Sequence, residues 1–167
     1  MKSLLTRTLL KHESEPVAKG VDRFRARAQG LDLTIIEHES STHTAQEAAD
    51  AVGAPVGAIV KSLLFLADES PLLVLASGPN RVDSEGLGVR LGVSLRMADA
   101  DTVKEATGFS IGGVPPFGHP RQLDTVMDED FFELEQLWAA AGSATAVFAI
   151  SPQRLQELSG ARVLRIT

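Results

Sequence analysis

The sequence predicts one α/β domain built around a mixed β-sheet. Its length of 167 residues suits one domain of ordinary size, so residues 1–167 are treated as a single domain. Hydrophobic residues make up 44% of the chain and charged residues 23%, an average composition for a protein that folds by itself. Segments with helical spacing of apolar residues alternate with short β-rich segments, and this alternation predicts a mixed sheet with helices.

The first three predicted elements are a helix, a short strand and a second helix. Residues 33–37 predict the strand, because they are mostly apolar and β-branched. Thr44 offers an N-cap with Glu47 three residues later, a capping box that predicts a helix running to Gly53. The first helix has apolar residues at helical spacing and ends at Gly30; these residues are Val17, Val21, Phe24 and Ala28.

Two apolar runs, residues 59–66 and 72–77, predict a β-hairpin in the core. Each run is apolar on both of the faces that a strand would have. We therefore expect central strands with both faces covered. Two short helices follow, over residues 83–91 and 101–107, and Gly108 closes the second.

Residues 109–120 have no periodic pattern and predict an irregular loop. Strands are predicted on its far side, over residues 122–127 and 145–150. A helix or helical turn is predicted between them, over residues 131–141, and its Trp138 is expected to pack in the core with Leu137 and Phe131.

The chain is predicted to end with a helix and a strand. Ser151 and Pro152 stand in the order that favours an N-cap followed by a first-turn proline. Gly160 ends this helix, and residues 162–166 return as a strand. The whole order of elements is that of an α/β fold with a mixed sheet.

Several classes of chemistry are excluded by composition. The chain has no cysteine, which rules out disulfides, a thiolate nucleophile and cysteine-ligated metal. The four histidines match no metal-ligand spacing, and neither glycine cluster matches a nucleotide-binding fingerprint, so no metal and no cofactor are assigned. The first 16 residues lack the unbroken apolar core of a secretory signal, and no apolar run could span a bilayer. We expect a cytoplasmic protein without membrane contact.

The charge is distributed unevenly. The net charge is −6, yet residues 1–30 carry seven lysines and arginines against three acidic residues. A basic segment on an acidic body is compatible with a polyanion that is touched at one place. It is equally compatible with a solvated helix face, and both interpretations stay open. The seven basic residues are Lys2, Arg7, Lys11, Lys19, Arg23, Arg25 and Arg27.

The segment 112–119, Gly-Gly-Val-Pro-Pro-Phe-Gly-His, is the least ordinary stretch of the chain. Adjacent glycines permit close approach of the backbone to a ligand, while two prolines fix the backbone and remove amide donors. These properties predict a rigid loop that is suited to a pocket wall. The alternative is a tight turn around a packed Phe117.

Lys61 lies within an apolar strand, between Val60 and Ser62. Burial of the lysine ammonium there costs roughly several kcal/mol unless the ammonium reaches solvent, an anion or a carboxylate. Lys61 therefore either extends its ammonium to solvent or faces a cleft and binds a phosphate or carboxylate of a substrate.

Six segments fall in an order that resembles a known family: residues 44–49, 59–63, 107–109, 112–118, 138–142 and 158–161. Together they are similar to the YbaK/EbsC family of aminoacyl-tRNA deacylases, related to the editing domain of bacterial prolyl-tRNA synthetases. The resemblance runs from about residue 20 to the end of the chain. It implies a mixed, barrel-like β-sheet surrounded by helices, and hydrolysis of the ester that joins a wrong amino acid to tRNA.

The resemblance also implies roles for particular residues. Lys61 matches the family's functional lysine, implied to hold the 3′ end of the tRNA, and Gly112 and Gly113 match the loop that presents backbone groups to the substrate. No side-chain nucleophile is implied, since water attacks the ester with help from the terminal ribose hydroxyl. The implied substrate-binding residues are Pro115, Pro116, Phe117, Gly118, His119 and Gly142, with the role of His119 open.

The implied partner is the 3′ acceptor end of a mischarged tRNA. An aminoacyl-tRNA synthetase or an elongation factor is the expected delivering protein, and no DNA partner is expected. The alternative to a hydrolase is a non-catalytic tRNA or nucleotide binding module on the same fold. The amino acid that is removed is not legible from the sequence.

Overall fold

The computed structural model describes residues 19–167, so Val17 and the predicted basic residues Lys2, Arg7 and Lys11 lie outside the described residues. Within residues 19–167 the chain forms five α-helices and one eight-stranded mixed sheet, which confirms the predicted fold class. The helices are α1 (Gly20–Arg27), α2 (Ala45–Val52), α3 (Ser84–Leu91), α4 (Ala100–Thr107) and α5 (Pro152–Ser159). The strands are β1 (Ile35–Glu37), β2 (Ile59–Ala67), β3 (Ser70–Ser77), β4 (Leu95–Met97), β5 (Asp124–Asp128), β6 (Leu137–Ala140), β7 (Ala146–Ile150) and β8 (Arg162–Leu164).

The predicted hairpin is the centre of the sheet. Strands β2 and β3 pair antiparallel from Val60 opposite Ser77 to Ala67 opposite Ser70. Asp68 and Glu69 make the turn between them, both with positive φ. The sheet order is β1-β7-β6-β2-β3-β5-β8, with β3–β5, β5–β8 and β2–β6 parallel.

Strand β2 has two partners along the edge that does not pair with β3. Its first residues, Ile59 and Val60, pair with β6, while Phe65 to Ala67 pair with β4. The edge of β2 is therefore open between these two pairings. We call this opening the fork, defined by residues 61–63 of β2, because the oxygen of Leu64 already accepts from the Ala98 amide beside β4.

The core has two parts, one on each face of the sheet. Alternate residues of β2 and β3 enter different parts, because successive side chains of a strand point to opposite faces. Leu64 and Leu73 join the larger cluster, whereas Phe65 and Leu72 join the smaller one. The apolar runs that predicted central strands are thus covered on both faces.

The predicted helix ends are confirmed at most positions. The side chains of Thr44 and Ser151 accept hydrogen bonds from amides three residues further on, and Gly53 and Gly160 end their helices in the left-handed conformation. The capping box of α2 differs in one detail. The Glu47 carboxylate accepts from the amide of His43, at 2.8 Å, and not from that of Thr44.

The predicted helix over residues 131–141 is wrong for most of its length. A 3₁₀ turn covers Glu129–Glu133, and the chain then forms strand β6 between β2 and β7. Leu137 and Ala139 are buried while Trp138 and Ala140 are half-buried, the two-residue period of a strand. Pairing with two neighbouring strands outweighs local helical preference in so short a segment. Strand β4 was also missed.

Candidate functional site

A cavity of about 290 Å³ lies at the fork of the sheet. Its walls come from β2, from strands β6 and β7, from the start of α2 and from the loop after α4. The wall is largely apolar, with several alanines and the half-buried Trp138. The lining among residues 19–167 includes Thr42, His43, Thr44, Lys61, Ser62, Met97, Ala98, Ile111, Gly112, Trp138, Ala139, Ala140, Ser143 and Ala144.

The start of α2 is held against this cavity by its own loop. The amide and the hydroxyl of Thr42 both donate to the carbonyl oxygen of Ala144, each at 3.3 Å. The Thr44 hydroxyl then accepts from the Glu47 amide and begins the helix. The segment that the sequence marked only as a helix start therefore forms part of the cavity wall.

Lys61 lines the cavity, and its ammonium is bound. Nζ donates to the main-chain oxygen of Asn80 at 2.7 Å, and the Asn80 side chain donates to Oδ2 of Asp128 at 2.8 Å. Asp128 is 1% exposed and also accepts from the amides of Ser77 and Asp130. The ammonium thus reaches a carbonyl with a buried carboxylate close by, and not solvent alone.

Burial and the nearby carboxylate have opposite effects on Lys61. Loss of hydration lowers the pKa of the Lys61 ammonium below its ordinary value, and the charge of Asp128 raises that pKa by less. Because burial is the larger cause, the net direction is downward. A cation that is poorly hydrated and already oriented is suited to an anionic ligand.

The loop residues Gly112 and Gly113 have different surroundings. Gly112 lines the cavity with φ of +90°, a conformation that favours glycine. Gly113 is buried, and a Cβ there would lie 2.7 Å from Cα of Ser143. Its amide donates to the oxygen of Ser110 at 3.0 Å, whereas no hydrogen bond within residues 19–167 uses the Gly112 amide.

The predicted substrate-binding residues Pro115, Pro116 and Phe117 are buried behind the cavity and do not line it. Phe117 is 6% exposed, and its ring lies 5.7 Å from those of both Phe24 and Phe148. This packing matches the alternative interpretation of the loop as a turn around Phe117. A substrate role for these three residues stays a prediction.

His119 and Gly118 lie at the end of the loop, away from the cavity lining. Nε2 of His119 is 2.7 Å from the oxygen of Pro115, which closes the loop on itself. Burial lowers the pKa of His119 below its ordinary value of 6.5, and the contact with Pro115 opposes this less strongly. Gly118 has φ of +84°, and a Cβ at this position would lie 3.4 Å from the ring of Phe24.

Gly142 follows β6 and contacts the start of α1. Its φ is +102°, and a Cβ at this position would overlap the backbone of Gly20 and Val21. Its neighbours Ser143 and Ala144 line the cavity, although Gly142 does not. Gly142 therefore allows the close approach of α1 behind the wall.

The arginines of α1 have partners within the chain. Arg23 donates to the oxygen of Gly108 at 2.6 Å and lies over the ring of Phe109. Arg25 forms an exposed ion pair with Glu37 at 3.2 Å. Arg27 donates to the oxygen of His119 at 3.3 Å. Two of the three arginines thus support the loop between α4 and β5.

Three site residues were missed by sequence reasoning: Ser62, Asn80 and Asp128. Asp128 ends an apolar strand, and a charged residue directly after such a run is the signal that could have indicated it. Ser62 and Asn80 have no comparable signal, since their importance comes from the fork and from Lys61. The Ser62 hydroxyl is buried at the cavity and has no hydrogen-bond partner among residues 19–167.

Metal-ligand clusters and membrane-spanning helices are both absent from the described part of the chain. Residues 19–167 contain no group of three or more histidine, aspartate or glutamate side chains placed to hold a metal ion. No helix in the same range is long and apolar enough to cross a membrane.

Comparison with known proteins gives consistent matches. Residues 39–158 match the family model of the aminoacyl-tRNA editing domain. A structure solved as that of a candidate trans-editing enzyme for prolyl-tRNA synthetase superposes with a TM-score of 0.85 and 40% identity, over 91% of this chain and 99% of that one.

Two relatives are similar to this chain in sequence. The uncharacterised protein YwhH of Bacillus subtilis is 30% identical over 130 residues, 77% of this chain and 83% of that protein. The proline–tRNA ligase of Lactobacillus gasseri is 32% identical over 114 residues, which are 68% of this chain but only 20% of the ligase.

Proposed function

Because the chain belongs to the aminoacyl-tRNA editing domain family, we propose that it is a trans-editing hydrolase that cleaves the ester of mischarged aminoacyl-tRNA. The observation that carries this proposal is the cavity at the fork, whose largely apolar lining includes Lys61. An apolar pocket with a few placed polar groups is typical of small-ligand sites. Here it suits an amino-acid side chain attached to a polyanion.

Lys61 is proposed to hold the 3′ end of the tRNA. An ammonium has three N–H donors, so the bond to Asn80 leaves donors for a phosphate or ribose oxygen. The buried Asp128 keeps a negative charge near the ammonium and favours its protonated form. The acceptor end would then lie over β2 with its aminoacyl group in the cavity.

Water is the proposed nucleophile. Neither cavity serine hydrogen-bonds a histidine within residues 19–167: Ser143 contacts Thr145, and the Ser62 hydroxyl has no partner. Water would attack the ester carbonyl, the bond from that carbon to the ribose oxygen would break, and the ribose oxygen would take a proton. The terminal ribose hydroxyl is proposed to position the water.

The Gly112 amide is the loop donor best placed to stabilise the developing oxyanion. Gly112 lines the cavity, and no hydrogen bond of the described residues uses its amide, whereas the Gly113 amide donates to Ser110. A preorganised backbone donor needs no rearrangement when negative charge develops. Gly113 is proposed to support this donor from behind the loop.

The test is deacylation in trans. The protein would be incubated with tRNA for proline that carries alanine, serine, cysteine or threonine, with correctly charged prolyl-tRNA as the control. We expect ester loss faster than spontaneous hydrolysis for at least one mischarged species, and a much slower reaction with prolyl-tRNA. Saturable binding without accelerated ester loss would favour the alternative, a non-catalytic tRNA binding module.

A partner follows from the same proposal. A free-standing hydrolase must meet its substrate after release from the synthetase, so an aminoacyl-tRNA synthetase or an elongation factor is the proposed delivering protein. Charged tRNA is used by the ribosome, and the proposed location is therefore the cytoplasm.

A further inference from the structure

Ser62 presents its main chain to the cavity at the fork. In an antiparallel pair the N–H and C=O of one residue point to the same side, and alternate residues point to opposite sides. The oxygen of Leu64 accepts from the Ala98 amide on the β4 side, at 3.1 Å. Ser62 lies two residues earlier, so its N–H and C=O point to that side as well.

No strand closes the fork at Ser62. The pairing with β6 ends at Val60, and the pairing with β4 begins at Phe65. Among residues 19–167 no other backbone hydrogen bond closes this edge between Val60 and Leu64. The gap therefore leaves the outward-facing N–H and C=O of Ser62 without a strand partner, next to a buried hydroxyl that also has none among the described residues.

Unpaired main-chain groups at a cavity cost free energy unless a ligand or water satisfies them. The group that matches one strand residue is one that carries a donor and a carbonyl oxygen on adjacent carbons. An aminoacyl ester has this arrangement, with an ammonium on the α-carbon beside the ester carbonyl. It can exchange two hydrogen bonds with Ser62, as a directly opposite residue does in an antiparallel sheet.

We propose that the aminoacyl group binds at the fork as a one-residue strand paired with Ser62. The α-ammonium donates to the Ser62 oxygen, and the ester carbonyl oxygen accepts from the Ser62 amide. The Ser62 hydroxyl is a further donor beside the ester. This inference rests on the proposed function and adds the residue that orients the acyl group.

Matched esters test the pairing. With the side chain that the deacylation panel finds fastest, three acyl groups are attached to tRNA for proline: the amino acid, its α-hydroxy analogue and its α-deoxy analogue. For a methyl side chain these are alanyl, lactyl and propionyl esters. Rates are divided by the rate of hydroxide-catalysed hydrolysis of each ester, which removes differences in intrinsic reactivity.

The pairing predicts that the lactyl ester is cleaved faster than the propionyl ester, because only the hydroxyl can replace the α-ammonium as a donor. We expect kcat/KM to fall by about tenfold or more from lactyl to propionyl, the loss of one hydrogen bond at a buried acceptor. Equal normalised rates for these two esters would overturn the pairing. Absence of cleavage for every ester would instead contradict the proposed function, and this inference with it.

A proline substitution tests the amide directly. Ser62→Pro removes an N–H that is not used in the sheet, so the strand can tolerate it, as edge strands do. We expect about a 100-fold loss of kcat/KM, the cost of one donor to a developing oxyanion. The matched control is Ser62→Ala, which keeps the amide and is expected to lose about tenfold or less. If Ser62→Pro folds and retains the activity of Ser62→Ala, the amide contact is wrong.

Leu63→Pro is the control for strand geometry. The main-chain N–H of Leu63 points towards β3, where Leu63 lies opposite Val74. A proline at this position therefore removes a hydrogen bond within the hairpin. We expect Leu63→Pro to unfold or to melt far below Ser62→Pro. If the two variants melt alike, the assignment of the Ser62 amide to the open edge is wrong, and the ester series then decides the α-ammonium contact independently.

Discussion

Lys61 donates to a main-chain oxygen and lies within the electrostatic influence of a buried carboxylate, and both groups lie outside its own strand. The ammonium donates to Asn80, whose side chain bridges Asp128 and Asp130. A lysine in an apolar strand is therefore part of a polar network at the end of β5. Its substitution is expected to change that network as well as the site.

Removal of the Lys61 charge is predicted to abolish most deacylation. Lys61→Met keeps the apolar stem and removes the ammonium, so we expect kcat/KM to fall by about 10- to 100-fold, the cost of a charged hydrogen bond. Because Asp128 keeps its two amide donors, the melting temperature should fall by only about a few degrees. Kinetics and thermal unfolding measured on the same sample check both statements.

Lys61→Arg is the charge-conserving control. A planar guanidinium does not fit the contact that a compact ammonium makes with the Asn80 oxygen, so this variant is also expected to fail. Full activity in either variant would remove Lys61 from the proposed site.

His119 is predicted to make the fold sensitive to acid. Burial holds its pKa below 6.5 in the folded state, so the unfolded chain binds the proton more readily. Stability from neutral His119 is complete above pH 6.5 and is lost as the pH falls through the folded-state pKa. We expect the melting temperature of the wild type to drop over this range.

His119→Gln keeps a donor for the Pro115 oxygen and does not titrate. The difference in melting temperature between this variant and the wild type should therefore move in favour of the variant as the pH falls from 7.5 to 5. A constant difference across this range would mean that His119 does not titrate differently in the two states.

The loop from Gly112 to Gly118 combines a cavity wall with a packed interior. Its first residue lines the cavity, while Pro115 to Phe117 are buried and the Phe117 ring packs against α1 and β7. The two interpretations of this loop from sequence are therefore not exclusive. Gly112 belongs to the wall, and Phe117 belongs to the core.

Adjacent glycines of the loop are predicted to respond differently to a methyl group. Gly112→Ala meets only Ala144, at 3.9 Å, and its cost is the φ of +90°, about 1–2 kcal/mol. Gly113 has no left-handed φ, but its Cβ would overlap the backbone of residues 142–143. Gly113→Ala should therefore lose more stability, about 3 kcal/mol.

Relative to its loss of stability, Gly112→Ala should lose more activity than Gly113→Ala. Gly112→Ala is expected to lower kcat/KM at a modest cost in the free energy of unfolding, because Gly112 lines the cavity and its amide is the proposed donor to the oxyanion. Urea unfolding and deacylation rates measured for both variants check this order. Equal effects of the two variants on rate and stability would favour a purely structural loop.

The acidic net charge of the whole molecule bears on the proposed polyanionic substrate. The net charge is −6, and the arginines of α1 lie at the β1 side of the sheet. Arg25 pairs only at the surface with Glu37, a contact worth about 0–1 kcal/mol, so its neutralisation should leave the fold intact. Arg27 is exposed as well.

The Arg25→Gln/Arg27→Gln variant is predicted to bind charged tRNA more weakly and with a flatter salt dependence. Each phosphate contact that is lost should reduce the slope of log affinity against log salt by about 0.7–0.9. Arg162→Gln/Arg165→Gln makes the same charge change at the β8 end of the sheet order and is the control. If both variants and the wild type share one slope, α1 is only a solvated face.

Local patterns determined most elements of this protein. The apolar runs of β2 and β3 predicted the hairpin, and Thr44, Ser151 and the helix-ending glycines predicted helix limits that the structure has. These features depend on neighbours within a few residues, which the sequence displays directly. Lys61 and the glycine-proline loop were also recognisable, because charge in an apolar strand and paired glycines and prolines are local facts.

The fork was decided only by the tertiary structure. Strands β4 and β6 are short, and they form because each pairs with a different part of one edge of β2. No local pattern in residues 95–97 or 137–140 records that pairing, since hydrogen bonds between distant strands outweigh short-range preference. The same holds for the site. Lys61, Gly112 and Ser62 line one cavity, and Asn80 links Lys61 to Asp128. Pro115 to Phe117 are buried in the core instead. These placements depend on where the sheet opens, and only its full strand order defines that position.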